Sequence, residues 1–312
     1  MNLRALRYFV AIADAGSLTA AAAAISIAQP ALSRQLRELE ADLGVQLLQR
    51  SARGVLLTSA GVSVYESAQR MLAEAGRVRQ HLARLQDSAV ATVALGASPT
   101  LARVLLPPLF ESCQRASAGV RLRAREAFTP ELLDWLERGV VDMAIVTNPE
   151  PGRALSLHPL LGEPFALVSH REMDLGPVVS LGQLARIPLL MTSLHRRIVE
   201  KQLQPLGGRL NCQGEIDSVD SIRELVLQSR RATIMPVSVF KGPREGEAAA
   251  MSEISGVQLH RMLVLATRIE RQPGPGLQLM RELVESEFAR LAARGVFSFG
   301  NLNLVPVQGT PA

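Results

Sequence analysis

Four leucines near the N-terminus constrain the fold of this chain more strongly than any other feature of its sequence. Leu32, Leu36, Leu39 and Leu43 are spaced by four, three and four residues, which places them on one face of a helix. The start of this helix and its opposite face are polar or lack a large apolar side chain, and their members are Gln29, Pro30, Ser33, Arg34 and Arg37. A proline in the first turn costs little, because its missing N–H has no helical partner there. The sequence therefore predicts a helix that is held by its leucines and presents Gln, Ser and Arg side chains outward.

A shorter helix is predicted immediately before this one. Residues 18–25, LTAAAAAI, contain five consecutive alanines, and alanine has the highest helix propensity. Ser26 and Ile27 interrupt the pattern, so a tight turn joins the two helices. This arrangement is typical of helix-turn-helix proteins, whose second helix enters the major groove of DNA. A surface helix with a solvated polar face is the alternative interpretation.

A β-hairpin is predicted after the second helix. Gly54 separates two short apolar runs, and Arg50 and Arg53 fall on or near the tip between them. A hairpin beside a recognition helix forms a wing, and arginines on a wing can reach phosphates or a minor groove. We therefore expect these two arginines to contact the DNA backbone.

Residues 1–61 resemble the winged helix-turn-helix domain of LysR-type transcriptional regulators. The resemblance rests on an ordered series of motifs: LRYF at residues 6–9, GSLT at 16–19, QPALSRQL at 29–36 and LTSAG at 57–61. It implies a sequence-specific DNA-binding regulator whose activity is set by a small molecule, with the nitrogen-assimilation-control-like proteins as the candidate subgroup. Ala28 departs from the family pattern, which usually has Ser or Thr at this helix cap, and the lost cap should cost about 1 kcal/mol.

A long linker helix is predicted over residues 59–89, with Thr58 as its N-cap. Its apolar residues recur in steps of three and four: Val62, Tyr65, Ala68, Leu72, Ala75, Val78, Leu82 and Leu85. A single helix of this length cannot bury such a stripe alone, so we expect two copies to pair as a homodimer. Packing on the C-terminal domain is the alternative. The family resemblance also implies homodimers, and it adds homotetramers as a further possibility.

The region from residue 90 alternates short apolar runs with helical patterns, which predicts an α/β fold with a mostly parallel sheet. The segments GASPTLARVLLPPLF and TPELLDWLERGVVDMAIV resemble the effector domain of the same regulators, a two-lobed domain similar to type II periplasmic binding proteins. The expected order is thus an all-α-type winged helix-turn-helix domain at 1–58, the linker helix at 59–89 and an effector-binding domain at 90–294. A tail at 295–312 has no helical pattern, and we expect it to be mobile at its end.

The resemblance implies that the chain crosses between the two lobes twice. We place these crossings near residues 161–163 and 266–268. The first lobe then comprises residues 90–161 and 268–294, and the second comprises residues 163–266. We expect the acidic, alanine-rich stretch at residues 245–250 to form a loop.

Hydroxyl side chains mark the ends of three predicted strands in this region. The residues are Ser98, Thr100, Thr192, Ser193 and Ser218, and each stands at or near the start of a helix. Ligands of open α/β sheets bind outside the carboxyl ends of strands, and free N–H groups at helix starts favour anions. We therefore expect a small anionic effector, such as a carboxylate, at these residues, with His195 or Arg196 nearby. Each hydroxyl taken alone is equally consistent with an ordinary helix cap.

Other classes of function find little support in the sequence. The five histidines are scattered, and no metal-ligand spacing, nucleophile elbow or phosphate loop is present, so we expect no catalytic residue, metal or cofactor. No apolar run reaches the roughly 18–20 residues that span a bilayer, and MNLRALRYFV lacks the features of a secretory signal. We therefore expect a cytoplasmic protein without membrane contact.

The expected partners are a double-stranded DNA operator, the small-molecule effector and a second copy of the chain, with RNA polymerase as a further candidate. A net charge of +5 is compatible with a polyanionic partner without demonstrating one. The alternative function is that of a cytoplasmic small-molecule-binding protein, or of an enzyme, with an accessory helix-turn-helix.

Overall fold

The computed structural model describes residues 1–51, 54–86, 91–116, 120–150, 155–241, 248–269, 273–302 and 304. Residues 1–89 form one compact unit, and residues 90–136 and 141–312 form a second. The first unit contains the helices α1 (Leu3–Ala15), α2 (Leu18–Ala24), α3 (Gln29–Leu43) and α4 (Ser59–Gln86), and the strands β1 (Leu48–Ser51) and β2 (Gly54–Leu57). The predicted helix-turn-helix and wing are therefore present.

Side-chain caps define the starts of the first two helices but not of the third. Asn2 Oδ1 accepts the N–H of Ala5 at 2.8 Å at the start of α1. Ser17 Oγ accepts the N–H of Ala20 at the start of α2. Ala28 stands at the N-cap of α3 and provides no such bond. The first turn of α3 therefore lacks a side-chain partner for its N–H groups, as the departure from the family pattern predicts.

The leucine face of α3 lies in the core of the first unit. Leu32, Leu36 and Leu39 are buried in one cluster with Phe9 and Ile12 of α1. Leu43, the last of the predicted row, is only partly buried. The alanines of α2 divide by face: Ala21 and Ala22 are buried, and Ala20, Ala23 and Ala24 are exposed. Because Ala21 and Ala22 are small, α2 can pack closely against the core that it shares with α1 and α3.

Backbone N–H groups of the wing and of the residue before it donate hydrogen bonds to the helical part of the unit. Glu40 Oε1 on α3 accepts the N–H groups of Leu47 at 2.7 Å and Leu48 at 3.2 Å. The N–H of Val55 donates to the carbonyl of Gly16 at 2.9 Å. A Cβ at Gly54, whose φ is +128°, would lie 2.3 Å from the same carbonyl oxygen. Only glycine fits this position, which explains the glycine at the turn of the hairpin.

The first half of α4 packs within its own unit. Ala68 is buried, and Tyr65 lies edge-on to Phe9 with ring centroids 6.4 Å apart and hydrogen-bonds to the carboxylate of Asp14. Leu72 packs against the same core. Ala68, Tyr65 and Leu72 therefore contribute to the core of their own unit, and the intermolecular seam stays a prediction. The side chains of Leu82 and Leu85 lie outside the described part of the helix.

The second unit is a mixed sheet covered by helices. Its strands are β3 (Ala91–Ala97), β4 (Val120–Glu126), β5 (Met143–Thr147), β6 (Leu155–His170), β7 (Val178–Val179), β8 (Pro188–Met191), β9 (Asn211–Glu215), β10 (Ala232–Pro236), β11 (Ala249–Ile254) and β12 (His260–Arg268). Their order is β4-β3-β5-β12-β6-β10-β8-β9, with β11 on β6 and β7 on β11. β12 is antiparallel to both β5 and β6, and β6 is antiparallel to β10 and β11, so the prediction of a mostly parallel sheet was wrong for the centre.

The helices of this unit with bounds inside the described ranges are α5 (Pro99–Arg115), α6 (Thr129–Glu137), α7 (Leu181–Leu184), α8 (Ser193–Leu203), α9 (Val219–Gln228) and α10 (Pro275–Ala293). Short 3-10 turns lie at Arg171–Met173, Gln204–Leu206 and Val237–Phe240. Residues 249 and 250 belong to β11, so the predicted loop at residues 245–250 was wrong there, and its remainder up to residue 247 lies outside the described residues.

Two long strands connect the two lobes of the second unit. The first lobe contains β3, β4, β5, most of β12 and the start of β6, with α5, α6 and α10. The second contains the rest of β6 and β7–β11, with α7, α8 and α9. The second crossing lies between Leu259, in the core of the second lobe, and Leu263, in the core of the first. The predicted crossing at residues 266–268 was wrong, because residues 263–267 already pair with β5 of the first lobe.

A buried ion pair lies where the two strands cross. Arg261 and Glu163 are cross-strand neighbours in β12 and β6, and only 1% and 0% of their surfaces are exposed. The guanidinium donates from Nε at 3.0 Å and Nη2 at 2.7 Å to Glu163 Oε2, and from Nη1 at 2.8 Å to Thr100 Oγ1. Glu163 Oε1 also accepts the N–H of Ser238 at 3.0 Å. The pair therefore links the crossing strands to an element of each lobe.

The segment after α10 is packed rather than mobile up to residue 302. Phe297 is fully buried and Leu302 is 6% exposed. The expectation of an irregular tail holds for its lack of helix, but these anchors hold residues 295–302 in place. Residues 305–312 lie outside the described residues.

We expect Ala28→Ser to stabilise the first unit by about 0.5–1 kcal/mol, because the new hydroxyl can accept the N–H of Ala31 at the start of α3. Urea unfolding followed by tyrosine emission measures this change, since both tyrosines, Tyr8 and Tyr65, lie in this unit. Ala31→Ser is the matched control, because residue 31 is exposed in the same turn but is not the cap. Equal effects of the two substitutions would contradict the capping explanation.

We expect Arg261→Met to destabilise the second unit by about 3–5 kcal/mol, because it leaves the Glu163 carboxylate buried without its cation. Adding Glu163→Gln should recover part of this loss, since an amide can still accept the Ser238 N–H without carrying a charge. Urea unfolding followed by the emission of Trp135, the only tryptophan, reports on this unit alone. Arg186→Met, at an exposed position, is the control. Additive losses in the double variant would argue against coupling of the two charges.

Candidate functional site

The polar face of α3 is open to solvent along its N-terminal half. Gln29, Pro30, Arg34 and Arg37 are exposed, and Ser33 is half-buried. The Nε of Arg37 donates to the carbonyl of Ser33 at 3.4 Å, so this side chain lies along the helix surface. The structure thus places all five predicted α3 residues on the first three turns of one helix.

Charge is distributed unevenly along α3. Residues 29–37 include two arginines and no carboxylate, whereas Glu38, Glu40 and Asp42 follow in the second half. Glu40 is engaged by the wing, and Asp42 pairs with the N-terminal ammonium of the chain. An exposed helix with a cationic N-terminal half fits the major groove, which is about 12 Å wide and is read by the N-terminal residues of recognition helices.

The side chains of the two predicted wing arginines, Arg50 and Arg53, are outside the described residues. Arg50 is in β1, paired with Val55 of β2, but its side chain is outside the described residues. Arg53 lies outside the described residues altogether. Their roles remain predictions from the sequence.

Three of the five residues predicted for the effector are buried, and one of them, Thr100, contacts the guanidinium of Arg261. Ser98 and Thr100 are buried, with their hydroxyl oxygens 3.0 Å apart, and Thr100 also accepts from Arg261. Thr192 is buried and caps α8 by accepting the N–H of His195 at 3.1 Å. The hydroxyls of Ser98 and Thr100 therefore bond other side chains of the protein, whereas Thr192 is an ordinary helix cap.

His195 is a buried neutral imidazole in the same cluster. Its ring lies edge-on to Phe165 with centroids 5.6 Å apart. Burial and, secondarily, the nearby charge of Arg261 lower its pKa to about 3, so it carries no proton charge at neutral pH. Nδ1 of His195 and Oγ of Ser238 are buried and have no hydrogen-bond partner among the described residues. These two buried polar atoms are therefore available to bond a further group near Arg261.

The other two predicted residues lie apart from this cluster. The N–H and hydroxyl of Ser193 both donate to Asp217 Oδ1, at 2.8 and 2.9 Å. Ser218 is exposed and accepts the N–H of Ser221 as the cap of α9. Arg196, expected near the effector, bonds Glu200 at 2.8 Å and Glu215 at 2.5 Å, and these bonds raise its pKa above its ordinary value. A carboxylate at Asp217 makes this end of the sheet unfavourable for an anion.

A cleft of about 750 Å³ lies between the two lobes. The first lobe contributes Thr129 and Leu133 of α6 and residues 147–150 after β5, and the second contributes Arg197, Ile198, Lys201 and Gln202 of α8. Arg197 and Lys201 lie one helical turn apart and are exposed, and Glu150 is the carboxylate among the lining residues. The cleft therefore has two cations on its second-lobe wall and a mixture of apolar and polar groups on its first-lobe wall, which suits a small anion that has both apolar and polar groups.

The sequence analysis expects an effector site in the two-lobed domain but misses the residues that line this cleft, although their signals are present. Thr129 begins α6 and Thr147 ends β5, so both satisfy the rule that ligands bind at the carboxyl ends of strands. Arg197 and Lys201 show the spacing of a single helix face. The sequence does not show that α6 and α8 lie at the same opening, because this depends on how the two lobes are placed by the crossing strands.

Other kinds of site are not found in the part of the chain that is described. No group of three or more His, Cys, Asp or Glu side chains there could hold a metal ion. Within the same residues, no helix is both long and apolar enough to cross a membrane.

Comparison with known proteins identifies both halves of the chain. Residues 3–62 match the family model described as bacterial regulatory helix-turn-helix protein, lysR family, and residues 86–289 match the LysR substrate binding domain. The nitrogen assimilation regulatory protein nac of Klebsiella aerogenes is 30% identical over 296 residues, covering 93% of this chain and 96% of that protein. The DNA-binding transcriptional dual regulator OxyR of Escherichia coli K12 is 27% identical, covering 93% and 96%.

Solved structures show the same fold. Full-length CbnR in complex with its target DNA superposes with a TM-score of 0.68 at 24% identity, covering 92% of this chain and all of that one. A full-length OxyR variant from Pseudomonas aeruginosa superposes with a TM-score of 0.63 at 24% identity, covering 92% and 94%. Because the two family models together match most of a chain that also has the helix-turn-helix and the two-lobed α/β domain, the chain belongs to the LysR family of DNA-binding transcriptional regulators, a family of regulators rather than enzymes.

Proposed function

We propose that the N-terminal half of α3 reads the operator in the major groove. Gln29 is the candidate reader of adenine, and Arg34 contacts guanine or a phosphate. Pro30, Ser33 and Arg37 complete the contact surface, and Arg50 and Arg53 of the wing hold the backbone. The observation that carries this proposal is the burial of Leu32, Leu36 and Leu39, which turns the opposite face of α3 outward.

We propose that the regulator acts as a homodimer joined through α4, in the cytoplasm where its operator lies. Met71 and Val78 are exposed apolar residues seven positions apart on this helix, with 43% and 51% of their surfaces accessible. A heptad spacing is the pattern of a two-helix coiled coil, and two DNA-binding units match a two-fold operator. Homotetramers and contact with RNA polymerase are extensions of this assembly that rest on the family.

We propose that a small anion, such as a carboxylate, binds between the lobes and sets the regulator's activity. The cationic wall formed by Arg197 and Lys201 supports this, because charge-assisted hydrogen bonds to carboxylates are among the strongest in proteins. Ser98, Thr100 and Thr192 stay in this proposal as the buried hydroxyls of the same domain, although none of them lines the cleft. Ser193 and Ser218 are the weaker members, since Asp217 and Ser221 engage them.

We expect Arg34→Ala to weaken specific operator binding by about 1–3 kcal/mol, because it removes a base contact. Arg53→Ala should instead lower affinity on all sequences and reduce the salt dependence of binding, because a phosphate contact carries no sequence information. Fluorescence anisotropy with the DNA upstream of the chain's own operon and a shuffled duplex, over a salt series, measures both effects. Arg186→Ala, an exposed arginine of the other unit, is the control. Equal, salt-independent losses in both variants would contradict this division of roles.

We expect Arg197→Ala to weaken binding of a responsive carboxylate about 10–100-fold, the loss of one charge-assisted hydrogen bond. Isothermal titration calorimetry with succinate, benzoate and inorganic phosphate measures the affinity directly. Arg186→Ala again serves as the control for a change of one surface charge in the same unit. The double variant Thr100→Ala/Ser193→Ala tests the hydroxyl set, and an unchanged response there would remove it from the proposed site.

A further inference from the structure

We propose that residues 295–302, here named the C-terminal strap, fasten the two lobes along one side and so restrict their relative motion to a rotation that opens or narrows the cleft. The proposal concerns the second unit alone and does not depend on which effector binds. It starts from an observation that the sequence did not predict, the burial of both ends of the strap in different lobes.

The first end of the strap is anchored in the first lobe. Phe297 is fully buried in the cluster that contains Val93 and Leu95 of the sheet. Its ring stacks on Phe288 of α10 with centroids 5.8 Å apart and planes 9° from parallel. The N–H of Val296 also donates to the carbonyl of Leu291 at 3.1 Å. Extracting this anchor would expose a whole aromatic ring and open a void in the lobe.

The other end is anchored in the second lobe. Leu302 is buried in the cluster that contains Val219 and Phe240, and Phe299 packs against the same cluster. The N–H of Asn301 donates to Glu253 Oε1 of β11 at 2.7 Å. Gly300 has a φ of +54°, and a Cβ there would lie 2.5 Å from the same carboxylate oxygen. A glycine at this position therefore lets the strap approach β11 closely.

The chain between the two anchors is short. Phe299 and Leu302 exchange backbone hydrogen bonds, N–H of Phe299 to the Leu302 carbonyl at 2.9 Å and N–H of Leu302 to the Phe299 carbonyl at 2.7 Å. This turn leaves only Ser298 between Phe297 and Phe299, two residue steps that can span about 7 Å at most. The lobes therefore cannot separate by more than a few ångströms here while both anchors stay buried.

A second connection between the lobes does not involve the cleft either. The guanidinium of Arg103, on α5 of the first lobe, donates to the carbonyl of Val239 in the 3-10 turn of the second. The residues that line the cleft come instead from α6, the end of β5 and the chain after it, α8 and the start of β12, and none belongs to the strap. With the strap and the α5 contact held, the remaining freedom is rotation about the crossing strands, which changes the width of the cleft.

The test lengthens the strap without removing either anchor. Six residues, Gly-Ser-Gly-Ser-Gly-Ser, are inserted between Ser298 and Phe299 of the full-length chain, which carries Cys113→Ser and Cys212→Ser. Spin labels at Glu111→Cys on α5 and Gln228→Cys on α9, one exposed site in each lobe, report the interlobe distance by pulsed electron paramagnetic resonance. No DNA or effector is present, so the result is independent of the proposed function.

We expect a narrow distribution of the label-to-label distance in the parent chain. With the insertion, the distribution should extend to distances longer by about 5–10 Å, which is the added reach of a short flexible linker. The same six residues inserted after Leu304 lie beyond the strap and should leave the distribution narrow. Unchanged distances with the first insertion, or equal broadening with both, overturn the proposal. If Trp135 emission shows that the insertion variant is unfolded, Leu302→Ala, which weakens one anchor, decides by the same criterion.

Discussion

The burial of one row of leucines on α3 is the interaction on which the DNA-binding unit depends. Each fully buried leucine contributes roughly 1.5–3 kcal/mol, and Leu32, Leu36 and Leu39 are buried together against α1. Because three positions on one face are held, α3 cannot rotate to withdraw its polar face from solvent. The wing depends on the same helix, since Glu40 accepts two N–H groups at its start. One packed surface thus sets both the reading helix and its neighbouring hairpin.

The second unit depends in a similar way on two continuous strands. β6 is 16 residues long and enters the sheets of both lobes, and β12 pairs with it across the crossing. The buried pair of Arg261 and Glu163 lies at that point, where losing either charge alone is costly. The hydrophobic cores of the lobes remain separate, so the crossing strands and the strap are what limit their motion. A cleft that can change its width between otherwise rigid lobes follows from this construction.

The elements predicted well were those with local signals. α4 begins directly after Thr58, where the predicted cap places its start, and α2 and α3 lie on either side of the predicted turn at Ser26 and Ile27. The sequence does not reveal the full length of β6, because the strand contains Pro159 and Pro164, residues that normally argue against a central strand. The structure accommodates Pro159 beside a register shift in the pairing with β12. Likewise, nothing local in the sequence after α10 shows that Phe297 and Leu302 enter two different cores.

By itself the sequence determined that the chain has a helix-turn-helix with an outward polar face and an α/β domain behind a long helix. Periodicity and capping are local properties, so they can be read without knowing what each face meets. Only the tertiary structure decided which hydroxyls converge and which serve as caps, and where the cleft opens. Those outcomes depend on strand pairing between residues far apart in the chain, such as Arg261 with Glu163, and 98 positions of separation leave no local pattern to read.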